Sequence, residues 1–541
     1  MSIIFLFQLI LFEEFKQSFA EDFNLFGEAG QAYSIEISIG RPGQKLNVIV
    51  DTGSATLAIA SYLRPDSDKY FHLKNSTSIY DSGQEIQAQY SQGTWVGKLV
   101  SDYVHFPSML NVPEVRCDIA LITKSHKFFM NGSGWQGLLG LAYLPVGAWG
   151  DNVIVGSWLD SMDHMLNKPM SFELKLCSVQ GVTNATHYGN LKILDDQMVD
   201  KQSFMFRTPV LRKRWFVVGV LSVQVMSDTV SSEAHKLNIK NNATYNVTQS
   251  RSVYEINEEI CQRMNEQKSI VDSGTTNIRL PDEMFRQVVN DLRNAAQTSN
   301  VLILDEFWYH GEAACWPEPQ RWSLPRLAIH LLDFDAENQY FTLELPPQNY
   351  MRVVSARNNS GSGGSVSEFC YKLGLEAGGK ETVLGYTAME GLQNYMRVVS
   401  ARNNSGSGGS VSEFCYKLGL EAGGKETVLG YTAMEGLQVV FNRSAGWIGW
   451  KTSNCGPNAT ISGPYNTSSS LLVRCKLIEP LSDAAISIKA AQWTLFVISM
   501  VALGVLVYLL TPCIKMLIMK PLPRSQQISL SQAALVEQEG T

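Results

Sequence analysis

The feature that most restricts what this chain can fold into is a pair of apolar strands, each running into a carboxylate, a hydroxyl residue and a glycine. The first is Leu46-Asn47-Val48-Ile49-Val50-Asp51-Thr52-Gly53-Ser54, and the second is Ser269-Ile270-Val271-Asp272-Ser273-Gly274-Thr275-Thr276. β-Branched residues suit a packed, pleated surface, and the glycine permits a tight turn or a close backbone approach. A carboxylate at the end of a buried strand is unfavourable when unpaired. Two of them, one from each half of the chain, can face each other and share that penalty. The expectation is a chain organised to bring Asp51 and Asp272 together.

Other signals recur in the same order. Gly137-Leu138-Leu139-Gly140-Leu141-Ala142 follows the first motif, and Thr382-Val383-Leu384-Gly385 and Thr427-Val428-Leu429-Gly430 follow the second. This weak internal symmetry indicates two related lobes. The alternating stretch Tyr33–Ile39 and the turn Gly40-Arg41-Pro42-Gly43 predict a hairpin leading to Asp51. Residues Gln87–Gly97 read as two short strands around a glycine turn, either plain structure or a lid that carries Tyr90 over a cleft.

A net charge of −7 and the absence of a long basic run exclude a nucleic-acid partner. None of the nine cysteines forms a C-x-x-C pair, so neither a zinc site nor any other metal or cofactor is expected. Asn-x-Ser/Thr sequons at Asn75, Asn131, Asn184, Asn242, Asn246, Asn358, Asn403, Asn442, Asn458 and Asn466 accompany those spaced cysteines. Together they suggest a secretory-pathway ectodomain with disulfides. Ile3–Phe12 is an apolar run too short to span a bilayer and resembles a signal-peptide core, with a truncated start as the other reading. Trp493–Ile514 carries no charge over a length that crosses a bilayer as a tilted helix. Lys515, Lys520 and Arg524 follow it and only Lys489 stands close before it, so the positive-inside bias puts the tail in the cytosol. Cys513, at the inner end of the span, is a candidate for palmitoylation.

Two carboxyl groups a hydrogen bond apart cannot both ionise, so the pair holds one proton and offers a general base beside a general acid. Water between Asp51 and Asp272 would give a proton to the ionised partner and attack a peptide carbonyl, whose oxygen the protonated partner would bond. Gly53 and Gly274 would let backbone N–H groups reach the carboxylates. Ser54 and Thr275 would donate side-chain hydrogen bonds, and Thr52 and Ser273 would bond across to the opposite lobe. Glycoside hydrolysis also uses two carboxylates, but the paired strand-Asp-hydroxyl-Gly turns argue against it.

These stretches resemble those of pepsin-like aspartic proteases, specifically the membrane-anchored β-secretase (memapsin) group. The likeness rests on VDTGS at 50–54, YSQGTW at 90–95, KFFMNGSGWQGLLGLAY at 127–143, SIVDSGTTNIRLP at 269–281, ACWPEP at 314–319 and VVFNRSAGWIG at 439–449. It implies a mainly β, bilobal pepsin-like aspartic protease fold with a C-terminal single-pass transmembrane helix. It further implies an aspartic endopeptidase that acts at acidic pH on proteins, above all membrane-protein ectodomains, from the lumenal or extracellular side of the secretory pathway. By the same likeness Tyr90 closes over substrate with Trp95 bracing it. Ile49, Phe128, Met130 and Trp135 line apolar subsites, Trp135 having plain core packing as its other reading. Gln92, Gly53, Gly274, Thr275 and Thr276 bond the substrate backbone, and Arg279 edges a polar subsite. The implied disulfides are Cys177–Cys455, Cys261–Cys475 and Cys315 with Cys415 or Cys370, with Cys117 a buried free thiol.

There are departures from the family pattern. Ala55 follows DTGS where relatives often have serine, and no prosegment is recognisable before Ala32, which leaves zymogen control unsupported. Residues Gln348–Leu392 and Gln393–Leu437 are the same 45-residue sequence in tandem. Two identical copies inside one lobe do not make a solenoid, which needs three or more capped repeats. The chain can leave the native path in copy one and rejoin it in copy two, and Asn358–Ser365 is the most flexible exit. On that reading Val428-Leu429-Gly430 braces Asp272, Cys415 pairs with Cys315 and Cys370 is left free. The competing reading is a catalytically inactive binding protein, its site disrupted by the duplication. The expected divisions are a leader 1–25, an N-terminal lobe 26–185, a C-terminal lobe 186–478, a stalk 479–492, a membrane helix 493–514 and a tail 515–541.

Overall fold

The computed structural model describes residues 23–28, 32–65, 67–90, 93–129, 133–143, 155–179, 186–200, 206–226, 256–298, 303–316, 324–358, 412–477 and 483–518. They form two compact units, one ending at Leu477 and one beginning at Ile478. The first unit is mainly β, as its alternating and β-branched stretches predict.

Each carboxylate strand sits in the same local arrangement. Gln44–Asp51 pairs in parallel with Gly137–Gly140, placing Asp51 opposite Gly140. Ser269–Asp272 pairs in parallel with Thr427–Gly430, placing Asp272 opposite Gly430. Residues 48–51 of the first strand and all of Ser269–Asp272 are buried on both faces, which is why they read as apolar runs without alternation. The strand beside Asp272 therefore comes from the second copy of the tandem repeat.

A shared sheet joins the two halves. Met170–Val179 lies between Thr186–Asp195 and Leu437–Asn442, and the latter pairs in turn with Trp447–Thr452. Phe172 stacks on Phe441 at 4.7 Å, and Phe216 meets Phe441 edge-on at the same distance, so aromatic packing closes the sheet face. Arg443, just beyond Leu437–Asn442, reaches Asp160 at 2.5 Å and Asp163 at 2.9 Å on the helix Trp158–Leu166. Burial comes first among the causes that raise the Asp163 carboxyl, and the Arg443 charge opposes it.

The folded unit begins earlier than Phe26. Leu25 is fully buried in a strand paired with Thr186–Gly189, and the Asn24 side chain donates to Leu191 O and accepts from Leu191 N–H, both at 2.8 Å. Thr186–Asp195 pairs on both edges within the shared sheet, so a lobe boundary at residue 186 falls inside a continuous sheet.

The repeat is absorbed in a hairpin. Met351–Asn358, from copy one, pairs antiparallel with Ser412–Leu418, from copy two, in register from Met351↔Leu418 to Asn358↔Ser412. Within one copy the same strands would be joined by the eight residues 359–366, and here residues 359–411 intervene. The logarithmic growth of loop-closure entropy makes that lengthening cost about 1.7 kcal/mol.

Disulfides join Cys177 to Cys455 and Cys261 to Cys475, with Cα separations of 5.0 and 5.3 Å. Cys415 is disulfide-bonded, and the backbone of Cys315 stands directly opposite it. Cys370 lies outside the described residues. Cys117 is buried and free. Among the sequon asparagines, Asn75, Asn458 and Asn466 are exposed. Asn442 is buried, its Oδ1 accepting from Ala445 N–H at 2.8 Å and Ser444 Oγ at 3.0 Å.

The second unit contains the helix Asp483–Ile518. Within it Trp493–Thr511 has mean hydropathy 2.4 and is long and apolar enough to cross a membrane. The side chain of Cys513, like residues 1–22 and 519–541, lies outside the described set.

Candidate active site

Asp51 and Asp272 are 6% and 9% exposed and stand against each other's glycine turn. A methyl group on Gly53 would lie 2.6 Å from the Asp272 carboxyl carbon, and one on Gly274 would lie 2.4 Å from Asp51 Oδ1. Only glycine admits that approach.

The hydrogen bonds repeat across the two halves. Gly53 N–H donates to Asp51 Oδ1 at 2.8 Å and Ser54 Oγ donates to Asp51 Oδ2 at 2.5 Å. Gly274 N–H donates to Asp272 Oδ1 at 2.9 Å and Thr275 Oγ1 donates to Asp272 Oδ2 at 2.7 Å. Each carboxylate thus has both oxygens engaged, which fixes its plane.

Thr52 and Ser273 lock the two loops to each other. Thr52 Oγ1 donates to Val271 O at 2.9 Å and accepts Ser273 N–H at 2.9 Å. Ser273 Oγ donates to Val50 O at 2.7 Å and accepts Thr52 N–H at 3.1 Å. Both hydroxyls are buried, so each bond is made in a medium that gives it full weight. Behind the loops, Leu141 N–H donates to Asp51 O at 2.9 Å and Tyr431 N–H donates to Thr275 O at 2.8 Å.

Burial is the largest cause holding the Asp51 carboxyl well above the ordinary carboxylate range, and the charge of Asp272 is the next. The bonds from Ser54 and Gly53 oppose the shift and do not cancel it. Asp51 is therefore set to retain a proton at a pH where isolated carboxyls have lost theirs.

Tyr90 ends the strand Tyr80–Tyr90 and pairs with Gly93 across the hairpin tip. Its phenol is raised by burial and then by the charge of Asp51, so it lies within reach of that carboxylate. Trp95 is buried in the cluster that Tyr90 packs on. Phe128 meets the Tyr90 ring at 5.3 Å and the Trp135 ring at 5.9 Å, and Phe129 meets Trp135 at 5.0 Å. An aromatic wall therefore runs from the hairpin tip down one side of the site. Trp135 and Ile49 are each 5% exposed and belong to the main core as much as to that wall. Thr276 O accepts Thr432 N–H at 3.3 Å, and Arg279 is part-buried opposite Val428. Gln92 and Met130 lie outside the described residues.

Two contributors were not singled out as site residues by the sequence. Phe129 lies beside Phe128 in the same stretch and completes the wall. The turn Tyr431–Met434 supports the Asp272 loop through backbone N–H groups, which any residue but proline supplies.

Comparison with known proteins agrees with this geometry. Residues 32–237 match the eukaryotic aspartyl protease family. The chain is 30% identical over 350 residues to a beta-secretase of Strongylocentrotus purpuratus, covering 61% of this chain and 58% of that protein. It is 26% identical over 153 residues to pregnancy-associated glycoprotein 2 of Sus scrofa, covering 28% of this chain and 36% of that protein. It is 32% identical over 115 residues to a vacuolar aspartic protease of Candida albicans, covering 20% of this chain and 27% of that protein. The matched region thus spans a little over half of the first relative's length and about a third or less of the others'. With both Asp-hydroxyl-Gly loops interlocked as described, residues 32–237 match a eukaryotic aspartyl protease domain, and the chain is similar to a β-secretase.

Proposed function

We propose that this chain is an aspartic endopeptidase whose catalytic groups are Asp51 and Asp272. The observation that carries the reading is the reciprocal lock: Thr52 and Ser273 tie the two loops together, and each carboxylate is held flat against the glycine turn of the other. With one proton on the pair, the ionised carboxylate takes a proton from water as that water attacks the peptide carbonyl. The protonated carboxyl donates to the developing oxyanion, and a proton then passes to the leaving amine. Tyr90 covers the reacting bond, and the hairpin that carries it excludes bulk water. Phe128 and its neighbours take an apolar side chain, while Thr276 and Arg279 lie on the polar side of the cleft.

The full proposal is a protease attached to a bilayer by Trp493–Thr511. The first unit then faces the lumen or the cell exterior, where ectodomains of other membrane proteins are the substrates. The exposed sequons, the two described disulfides and the basic residues behind the helix support this orientation. The pairing of Thr427–Gly430 with Ser269–Asp272 supports an assembled site in the presence of the duplication.

The test is cleavage of a fluorogenic peptide at about pH 4.5 by the full chain in detergent, beside Asp272→Asn. Activity present in the parent and lost in the variant is expected. Turnover that survives the substitution refutes the assignment.

A further inference from the structure

The aromatic wall is held by a buried cation. Arg64 follows the strand Leu57–Ala60 and is 3% exposed. Its Nη1 donates to Trp135 O at 3.1 Å, its Nη2 donates to Ser133 O at 3.3 Å, and Ser133 Oγ lies 3.5 Å from Nη2. The guanidinium also lies over the Phe129 ring, 4.3 Å from its centre. One side chain thus grips Ser133 and Trp135 at their carbonyls and Phe129 at its ring, beside the Phe128 that meets Tyr90. Tyr62 adds a second tie from the same stretch, its hydroxyl 2.7 Å from Ser125 Oγ at the end of Val115–His126.

A planar fork of five donors suits two divergent carbonyls and can stack on an aromatic face at the same time; an ammonium cannot do both. Burying a guanidinium among carbonyls is unfavourable unless its bonds are made, so the segment cannot drift without stranding the charge. The stiffness of the wall therefore depends on the buried Arg64.

We infer that Arg64 is a positioning residue for substrate selection: by fixing Phe129, Ser133 and Trp135, it sets the depth of the apolar subsite beneath Tyr90 and with it the preference for a large apolar side chain next to the scissile bond. The inference rests on the aspartic-protease reading. It concerns selectivity, because Arg64 has no bond to either carboxylate among the described contacts.

The test compares peptides that carry Leu, Phe or Ala at the residues flanking the scissile bond, using the full chain and the variants Arg64→Met, Arg64→Gln and Arg64→Lys. In Arg64→Met and Arg64→Gln the ratio of kcat/KM for the large over the small side chain is expected to fall about 10-fold, mainly through KM for the large one. Arg64→Lys keeps the charge but not the fork and is expected to recover only part of the ratio. Ser133→Ala, which removes one hydroxyl contact, guards against a simple folding failure and is expected to move the ratio in the same direction by less. An unchanged ratio with an active parent overturns the role of Arg64 and leaves the protease reading standing, as does an equal loss on all peptides. A parent that cleaves none of the peptides overturns both.

Discussion

Glu435 is a buried carboxyl with a measurable consequence. It is 4% exposed and accepts the Tyr33 hydroxyl at 2.7 Å, while Tyr33 Oη accepts Ser178 N–H at 3.0 Å. His187 stacks on Tyr33 at 4.1 Å, and Tyr431 meets the Tyr33 ring edge-on at 5.3 Å. Burial raises Glu435 to about 7 from an ordinary 4.5, against the lowering effects of the Tyr33 and Ser178 bonds and the Arg352 charge. At 1.36 kcal/mol per unit, that difference is worth about 3 kcal/mol. The folded value lies above the unfolded one, so the stability is fully present below about pH 4.5 and is lost as pH rises through about 7. Glu435→Gln keeps an acceptor for Tyr33 and removes the titration. The variant's stability relative to the parent should therefore rise by about 3 kcal/mol between pH 4.5 and 8. Unfolding entropy of about 2.1 cal/mol/K per residue gives roughly 1 kcal/mol/K for a unit of this size, so the difference in Tm should change by about 3 °C. Differential scanning fluorimetry of both proteins across that range reads it directly. His187, lowered by burial to about 4, acts with the opposite sign and Asp51, raised, with the same sign; both are present in parent and variant and cancel in the comparison. A flat difference curve, or one that falls with pH, refutes the reasoning.

Three more outcomes test the site and its frame. Ser273→Ala removes the donor to Val50 O and the acceptor of Thr52 N–H; thermal unfolding should show a loss of about 2 kcal/mol, and steady-state kinetics should show kcat falling more than KM. Gly274→Ala puts a methyl against Asp51 Oδ1, so peptide turnover should drop at least about 100-fold while circular dichroism stays that of the parent. Arg443→Met strands Asp160 and Asp163; with both carboxylates partly exposed, chemical denaturation should reveal a loss of about 2 kcal/mol, shrinking in high salt.

The sequence makes the carboxylate strands legible because each ends in a doubly buried apolar stretch closed by a turn whose residue types have few other uses. The membrane-length helix is legible from length and lack of charge alone. The shared sheet is not: Met170–Val179 and Leu437–Asn442 pair across more than 250 residues, and nothing local in either strand names the other. Arg64 is equally silent, since an arginine followed by Pro65, Asp66 and Ser67 has the composition of an exposed loop. Glu435 looks like a polar residue in a turn, and only the packing of Tyr33, His187 and Tyr431 shows it to be enclosed. Asn442 carries a glycosylation sequon and is nonetheless buried, which the sequence does not reveal. Such failures share one cause: the partners come from distant parts of the chain, and pattern reading sees only near neighbours.

The hairpin of Met351–Asn358 and Ser412–Leu418 has a practical use. Its strands keep their register although their connection has grown from eight residues to those of 359–411. A connection that tolerates such a change is a grafting port: a fluorescent protein or an affinity module spliced between Asn358 and Ser412 should ride on the lobe without disturbing the carboxylates. Since the two copies are identical, cutting out either one yields the same shorter polypeptide, so the gene could lose the insert in a single recombination and keep every residue the lobe uses.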